Sequence, residues 1–221
     1  MVMKADLHIH SMYSGDSISK PTSIMSAAAD RGIGMIAITD HDSTAAWAEF
    51  KDIERRYPVK VIYGQEVKVR QANRIVGELL CLFLQKPVEH ETVPEVIRHV
   101  NAQGGLVSIA HPFSERRVEF RGYDEIKNWD NIAIEVMNGR SYNRRDNEMA
   151  KNLAERLSVP ITAGSDAHTP YEVGNCYLEF SGNSAQQLLC AVKNRDVQTG
   201  GRASMMWLSL LSTFGHIGLA L

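Results

Sequence analysis

The sequence predicts an α/β fold: a small barrel of about seven strands with a short C-terminal appendage. Three observations carry this expectation. Short β-rich apolar runs alternate with amphipathic stretches along most of the 221 residues, the pattern of a mainly parallel sheet with helical crossovers. About seven such runs suit a small barrel better than an open doubly wound sheet. No glycine-rich phosphate loop follows the first run, which removes the main support for a dinucleotide fold.

The elements follow in order. Strands are expected at Ala5–His10, Met35–Thr39, Val59–Gly64, Leu79–Leu84, Leu106–Ala110, Ile132–Val136 and Pro160–Ala163. Helices are expected at Thr22–Arg31, Thr44–Tyr57, Val93–Gln103 and Tyr142–Leu157, the last with Met149, Leu153 and Leu157 at a spacing of four. The run "VKVRQANRIVGELLCLFL" has the form of a local hairpin turning at Gln71–Asn73. No repeat, low-complexity tract or linker interrupts the chain before about Gly174. The expected division is a barrel over 1–173 and a C-terminal segment over 174–221 packed on it.

Composition narrows the class. With 44% hydrophobic and 23% charged residues the chain is an ordinary globular protein. A formal net charge of -2 gives no basic surface for long nucleic acids, while leaving small phosphorylated substrates open. Cys81, Cys176 and Cys190 are odd in number and scattered, so a reducing cytoplasm is expected rather than a disulfide framework. "MVMKADLHIH" lacks the apolar core and cleavage site of a signal peptide. Ala203–Leu221 carries no full charge. Its serines, threonine, histidine and glycines favour packing on the domain or a second subunit of a homo-oligomer over membrane contact.

The chemistry sits at the strand ends. The first strand ends in His8-Ile9-His10, a spacing that puts both imidazoles on one strand face, with Asp16 in the following loop. The second ends in "TDHD" with His41, the third runs into Glu66, and the fifth ends in "AHP" with His111. The sixth carries Glu135 and Asn138, and the seventh ends in "GSDAH" with Asp166 and His168. Parallel strands of a barrel bring such ends to one mouth. Five of the eight histidines lie there. Imidazoles and carboxylates together suit Zn, Mn or Fe, and their number exceeds what one tetrahedral ion can use. A multinuclear hydrolytic site is implied, of the kind that activates water and neutralises charge at phosphorus. Asp40 and Asp42 are expected to orient His41 or neighbouring amides. Arg140 and Arg144, after the sixth strand, are candidates for a phosphate clamp, as are Arg116, Arg117 and Arg121. Glu78 is weighed as a neighbour of Glu66 or as an exposed strand residue.

"DLHIHSMYSGDS", "AITDHD", "GQEV", "AHPF", "IEVMNG" and "GSDAH" resemble, in order and spacing, the motifs of the polymerase and histidinol phosphatase (PHP) family of metal-dependent phosphoesterases. The segment "GNCYLEFSG…AVKNRDVQTGGR" is similar to the short PHP-associated region. The resemblance covers roughly residues 3–175. It implies a distorted seven-stranded barrel with two to three divalent ions. His8, His10, Glu66 and Asp166 would hold the first ion, Glu66 and His111 the second, and Asp16, His41 and His168 the third. Glu135 is favoured over Asn138 as the ligand near the sixth strand, the alternative being that it orients the ligands from behind. A metal-activated hydroxide would attack phosphorus, with Asp166 at the reacting centre and His41 or His168 protonating the leaving alkoxide.

The expected function is hydrolysis of a small phosphomonoester, a metabolite or nucleotide. A phosphodiesterase or exonuclease-like enzyme on the same site is the first alternative, and a non-catalytic metal-binding module is the second. Filled ligand positions argue against the latter. An amidohydrolase with a carboxylated lysine is disfavoured because no strand end offers a lysine.

Overall fold

A computed structural model describes residues 1–89, 92–114, 120, 122, 126 and 129–208. Every expected strand forms, but in two five-stranded mixed sheets rather than one barrel. The first has the order β10-β9-β1-β2-β3 and the second β4-β5-β6-β7-β8. The strands are β1 (Val2–Ile9), β2 (Met35–Ile38), β3 (Lys60–Tyr63), β4 (Gln65–Gln71), β5 (Arg74–Leu82), β6 (Leu106–Ile109), β7 (Ile132–Asn138), β8 (Ile161–Gly164), β9 (Cys176–Ser181) and β10 (Gln198–Gly201). β1–β2–β3 and β6–β7–β8 are parallel, whereas β4–β5, β5–β6, β1–β9 and β9–β10 are antiparallel.

The expected closure into a seven-stranded barrel is corrected by what happens where the sheets meet. At each seam a single isolated bridge stands where a ladder would run: Ile9 with Ala167, and His41 with Glu66. Two glycines govern the junctions. At Gly64 the chain leaves β3 for β4, and a Cβ there would lie 2.8 Å from the Cys81 carbonyl oxygen. At Gly164 the end of β8 presses on β1, where a Cβ would stand 2.3 Å from His8 Cβ. Within the hairpin β4–β5, strand β5 runs antiparallel to both β4 and β6, which breaks the expected parallel order.

Helices cover the outer faces: α1 (Pro21–Asp30), α2 (Trp47–Ile53), α3 (Val93–Ala102), α4 (Arg144–Leu157) and α5 (Ala185–Lys193). Pro21 starts α1, where a missing N–H costs nothing, and Gly32 follows its end at φ 67°. Asn143 caps α4, its Oδ1 accepting from Arg145 N at 3.1 Å. β2 and β6 are buried along their whole length, as strands covered on both faces must be. One core joins Ile36, Ile38 and Ile9 to Ile24, Met25 and Phe50 under α1 and α2. Another joins Val107, Ile109 and Ile134 to Val96, Val100 and Leu153 under α3 and α4. The helical stripe expected on α4 is shifted. Asp146, Ala150, Leu153 and Ala154 face inward, and Met149 is exposed.

The hairpin turns where expected, with Ala72 and Asn73 at φ 48° and 62°. Two left-handed residues in succession mark a type I′ turn, which favours glycine. A left-handed alanine costs about 1–2 kcal/mol. Ala72→Gly should therefore stabilise by about 0.5–1 kcal/mol once chain entropy is subtracted, read as a higher urea midpoint. An unchanged or lower midpoint would contradict this backbone reading. Among the described residues no helix is long and apolar enough to cross a membrane; residues 209–221 of the uncharged C-terminal run lie outside them.

Candidate metal centre

Period-two alternation places the first ligand candidates. Ala5, Leu7 and Ile9 join apolar clusters, while Asp6 and His8 lie on the other face of β1 and His10 follows its end. Asp6 is a structural pin. Its carboxylate accepts from Ser165 N (2.8 Å), Ser165 Oγ (2.6 Å) and Gly174 N (2.7 Å), tying β1 to the loop after β8. Burial pushes it up to about 6 despite these bonds. Asp16 comes from the loop after a short 3-10 turn (Met12–Ser14), His41 from the end of β2, Glu66 from the start of β4 and His111 from the end of β6. Asp166 and His168 follow β8. His111 and Asp166 hold left-handed backbones, φ 25° and 53°, a conformation that non-glycine residues keep only where the surroundings impose it.

The structure brings these side chains together. Four overlapping groups have all donor atoms within 4.8 Å of one another: His10, Asp16, His41 and His168; His8, His10 and Asp166; His8, Glu66 and His111; and His41, Glu66 and Glu78. His8 Nε2 lies 3.0 Å from His10 Nε2, 3.4 Å from Glu66 Oε2 and 3.6 Å from Asp166 Oδ1. His111 Nε2 is 3.1 Å from Glu66 Oε1. Asp16 Oδ2 is 3.0 Å from His168 Nε2 and 3.2 Å from His41 Nε2. Donors about 2.1 Å from one tetrahedral ion stand roughly 3.4 Å apart, so these separations fit shared coordination.

The proton positions fit it too. His168 Nδ1 lies 2.8 Å from the Asp166 carbonyl oxygen, which can only accept, so Nδ1 carries the hydrogen and Nε2 faces Asp16. His8 Nδ1 is likewise 3.0 Å from Glu135 Oε1, turning Nε2 into the cluster. Glu66 Oε2 and His41 Nδ1 are 3.0 Å apart, yet misaligned: neither has a hydrogen-bond partner among the described residues, and Asp16 Oδ1 has none either. Buried carboxylate oxygens without donors are expensive unless a cation faces them. The donor set fits divalent ions.

Electrostatics agree. Burial opposes charging of His41, but Glu66 and Asp16 outweigh it and push the imidazole up to about 10. Burial resists charging of His8 as well, yet Glu135, Asp166 and Glu66 hold it well above the usual range. Despite burial, His8 and His41 keep Glu66 well below the normal carboxylate range, and His168 and His41 do the same for Asp16. Burial and the neighbouring His10 push His168 down to about 4. Protons on imidazoles here balance carboxylate charge that a divalent ion would balance instead.

Glu135, weighed as a ligand or as a residue behind the ligands, belongs to none of the four groups. Its Oε1 meets His8 Nδ1, and its Oε2 accepts from His111 N (2.8 Å) and Asn138 Nδ2 (3.0 Å). It orients ligands from behind, as carboxylates on metal-bound imidazoles do. Glu135→Gln should therefore weaken metal binding by about 10–100-fold without removing an ion, measured by competition with a chelating dye. Outright loss of one ion per chain would instead make Glu135 a ligand. Glu78, weighed as a neighbour of Glu66 or as an exposed strand residue, is the buried neighbour: it lies on β5 with its Oε2 3.6 Å from His111 Nε2. A charged residue inside the apolar run "RIVGELLCL" was the available signal. Ser14 also went unread: its Oγ is 3.0 Å from His10 Nδ1 and accepts from His41 N.

Asp40 accepts from Ser11 N and Oγ, and Asp42 from Lys68 N, so both hold neighbouring loops and strands. Arg140 is drawn into a two-point ion pair with Glu172. Arg144 is the first residue of α4, exposed, on the wall of a cleft of about 520 Å³ shared with Lys151 and Arg202. The structure thus does not join the two arginines in one clamp. Arg116, Arg117 and Arg121 lie outside the described residues.

Comparison with known proteins gives the following. The family model described as the PHP domain matches residues 6–158, and that described as PHP-associated matches 144–197. An uncharacterized protein of Methanocaldococcus jannaschii is 37% identical over 123 residues, covering 51% of this chain and 69% of its own length. Among solved structures, a two-domain Bacteroides vulgatus protein described as containing a predicted PHP-like metal-dependent phosphoesterase superposes with TM-score 0.77 at 19% identity. The match covers 98% of this chain and 70% of that one. PsfC from Pseudomonas syringae gives TM-score 0.72 at 18% identity over 99% of both chains. At these identities the superpositions speak for the fold.

Proposed function

The chain belongs to the PHP family, and from that premise we propose that it is a metal-dependent phosphomonoesterase acting on a small phosphorylated metabolite or nucleotide. One observation carries the reading: five imidazoles and four carboxylates form overlapping ligand groups in a buried centre. His8, His10, Glu66, Asp166 and His168 side chains are at most 2% exposed, while His41 reaches 11% and Asp16 41%. Access is therefore from the Asp16–His41 side. The weak net charge of -2 offers a long nucleic-acid strand little, which favours a small phosphorylated substrate.

Two to three divalent ions, Zn, Mn or Fe, supply activated water and neutralise phosphate charge when bound. His8, His10, Glu66 and Asp166 would hold the inner position, with His111 and Glu78 extending it through Glu66. Asp16, His41 and His168 would hold the outer one, beside His10. Glu135, Ser14 and the Asp166 carbonyl keep the second ring nitrogens occupied, so each Nε2 of His8, His10 and His168 points inward. His41 Nε2 and His168 Nε2 both face Asp16, so both would serve the outer ion, and the leaving alkoxide would take its proton from water.

The test is hydrolysis of p-nitrophenyl phosphate beside bis-p-nitrophenyl phosphate by metal-reconstituted protein, with His10→Ala as control. Monoester turnover lost in His10→Ala is the expected result. Turnover of the diester alone would replace the reading with a phosphodiesterase. Turnover of neither ester, with ions bound, would contradict general phosphomonoesterase activity.

A further inference from the structure

Glu172 lies outside the ligand groups, is fully buried, and carries more hydrogen bonds than any carboxylate that a simple turn requires. Its Oε2 accepts from His168 N at 3.1 Å, Thr169 N at 3.0 Å and Thr169 Oγ1 at 3.0 Å. Arg140 takes both oxygens, Nε on Oε1 at 2.9 Å and Nη2 on Oε2 at 3.1 Å. The first three bonds fix the backbone that presents His168. The arginine leg reaches the loop after β7, where Arg140 N donates to Asn138 Oδ1 and Asn138 Nδ2 donates to Glu135 and Asp166. One buried carboxylate therefore fastens the loop holding His168 to the loop behind Glu135.

We propose that Glu172 is a positioning residue: with Arg140 it sets the placement of His168 and so the metal affinity of the outer group of His10, Asp16, His41 and His168. This rests on the metal-centre part of the functional reading and not on which ester is cleaved. A planar two-point arginine–carboxylate pair fixes both distance and orientation, which a single bond cannot do. His168 approaches Asp16 at 3.0 Å through Nε2, so a shift of the His168 backbone moves a ligand of the outer ion and leaves His8, Glu66 and His111 in place. Partners behind metal ligands commonly govern affinity in this way.

The test is calorimetric titration of the full chain with Mn²⁺ and Zn²⁺, comparing wild type with Glu172→Gln, which keeps volume and one acceptor but removes the charge. The expected result is one ion bound about 10–100-fold more weakly, the remaining ions being unchanged within the error of the titration. A role in folding alone would lower the melting temperature and leave all affinities alike, and that result overturns the proposal. Should Glu172→Gln fail to fold, Glu172→Asp is measured with the same expectation, since it keeps the charge but withdraws it by one methylene. Uniform weakening of every ion also overturns it. If the wild type takes up no ion, the metal-centre reading itself falls, whatever Glu172 does; wild-type uptake with no Glu172 effect removes this proposal alone.

Discussion

Glu66→Gln is expected to lower phosphomonoester turnover by roughly 10³-fold, a loss of about 4 kcal/mol of transition-state stabilisation, with a cooperative melting transition retained. Glu66 joins the groups. Its Oε2 lies 3.0 Å from His41, 3.3 Å from His10 and 3.4 Å from His8, and its Oε1 lies 3.1 Å from His111. Among the described residues no other carboxylate lies as close to as many of the imidazoles. Glutamine keeps the volume and can still hydrogen-bond His111, so packing is preserved. It removes the negative charge and one of the two acceptor oxygens that a bridging ligand needs. Metal-reconstituted turnover, measured beside the ion content of the same sample, checks this. Full activity in Glu66→Gln would mean that the two halves of the centre do not work through a shared carboxylate.

Gly164→Ala is expected to be strongly destabilising. The backbone conformation there needs no glycine; the space does. An added Cβ would stand 2.3 Å from His8 Cβ and 2.5 Å from His8 N, distances that backbone cannot yield without shifting β1 or β8. Overpacking of this kind costs typically 1–3 kcal/mol. At this chain length each kcal/mol lowers the melting temperature by about 2–4 °C, so a fall of roughly 5–10 °C is expected by differential scanning calorimetry. Because the clash falls on His8, metal affinity should drop along with it. A melting temperature within about 1 °C of wild type would show that the seam between the sheets opens freely.

Much of the site was legible because it obeys local rules. His8 and His10 share a face by strand alternation, and His41, His111 and His168 follow apolar runs that bury themselves in any α/β arrangement. What escaped depends on long-range geometry. Glu78 lies mid-strand on an antiparallel hairpin, so a search of strand ends could not decide between its place beside Glu66 and an exposed one. Glu135 sits beside a register shift between Glu135 and Met137, and alternation loses its meaning there. Barrel closure was not readable either. It turns on whether β8 pairs with β1 or only touches it, which Gly164 and the single Ile9–Ala167 bridge decide. Met149 shows the same limit on a helix: a spacing of four names a stripe, but the packing of α4 on β7 chooses the neighbouring one. Glu172 had no local signal, since its meaning lies in Arg140, far away in sequence.

The most direct test of the central claim is elemental analysis of the full chain after reconstitution with Mn²⁺ or Zn²⁺ and removal of free metal, with His10→Ala treated in parallel. His10 is shared by two of the four ligand groups. The account predicts two or three ions per wild-type chain, on the ligand arithmetic of clustered imidazoles and carboxylates, and at least one fewer in the variant. About one ion per chain or fewer in the wild type, or equal content in both proteins, would contradict a multinuclear metal centre at these residues.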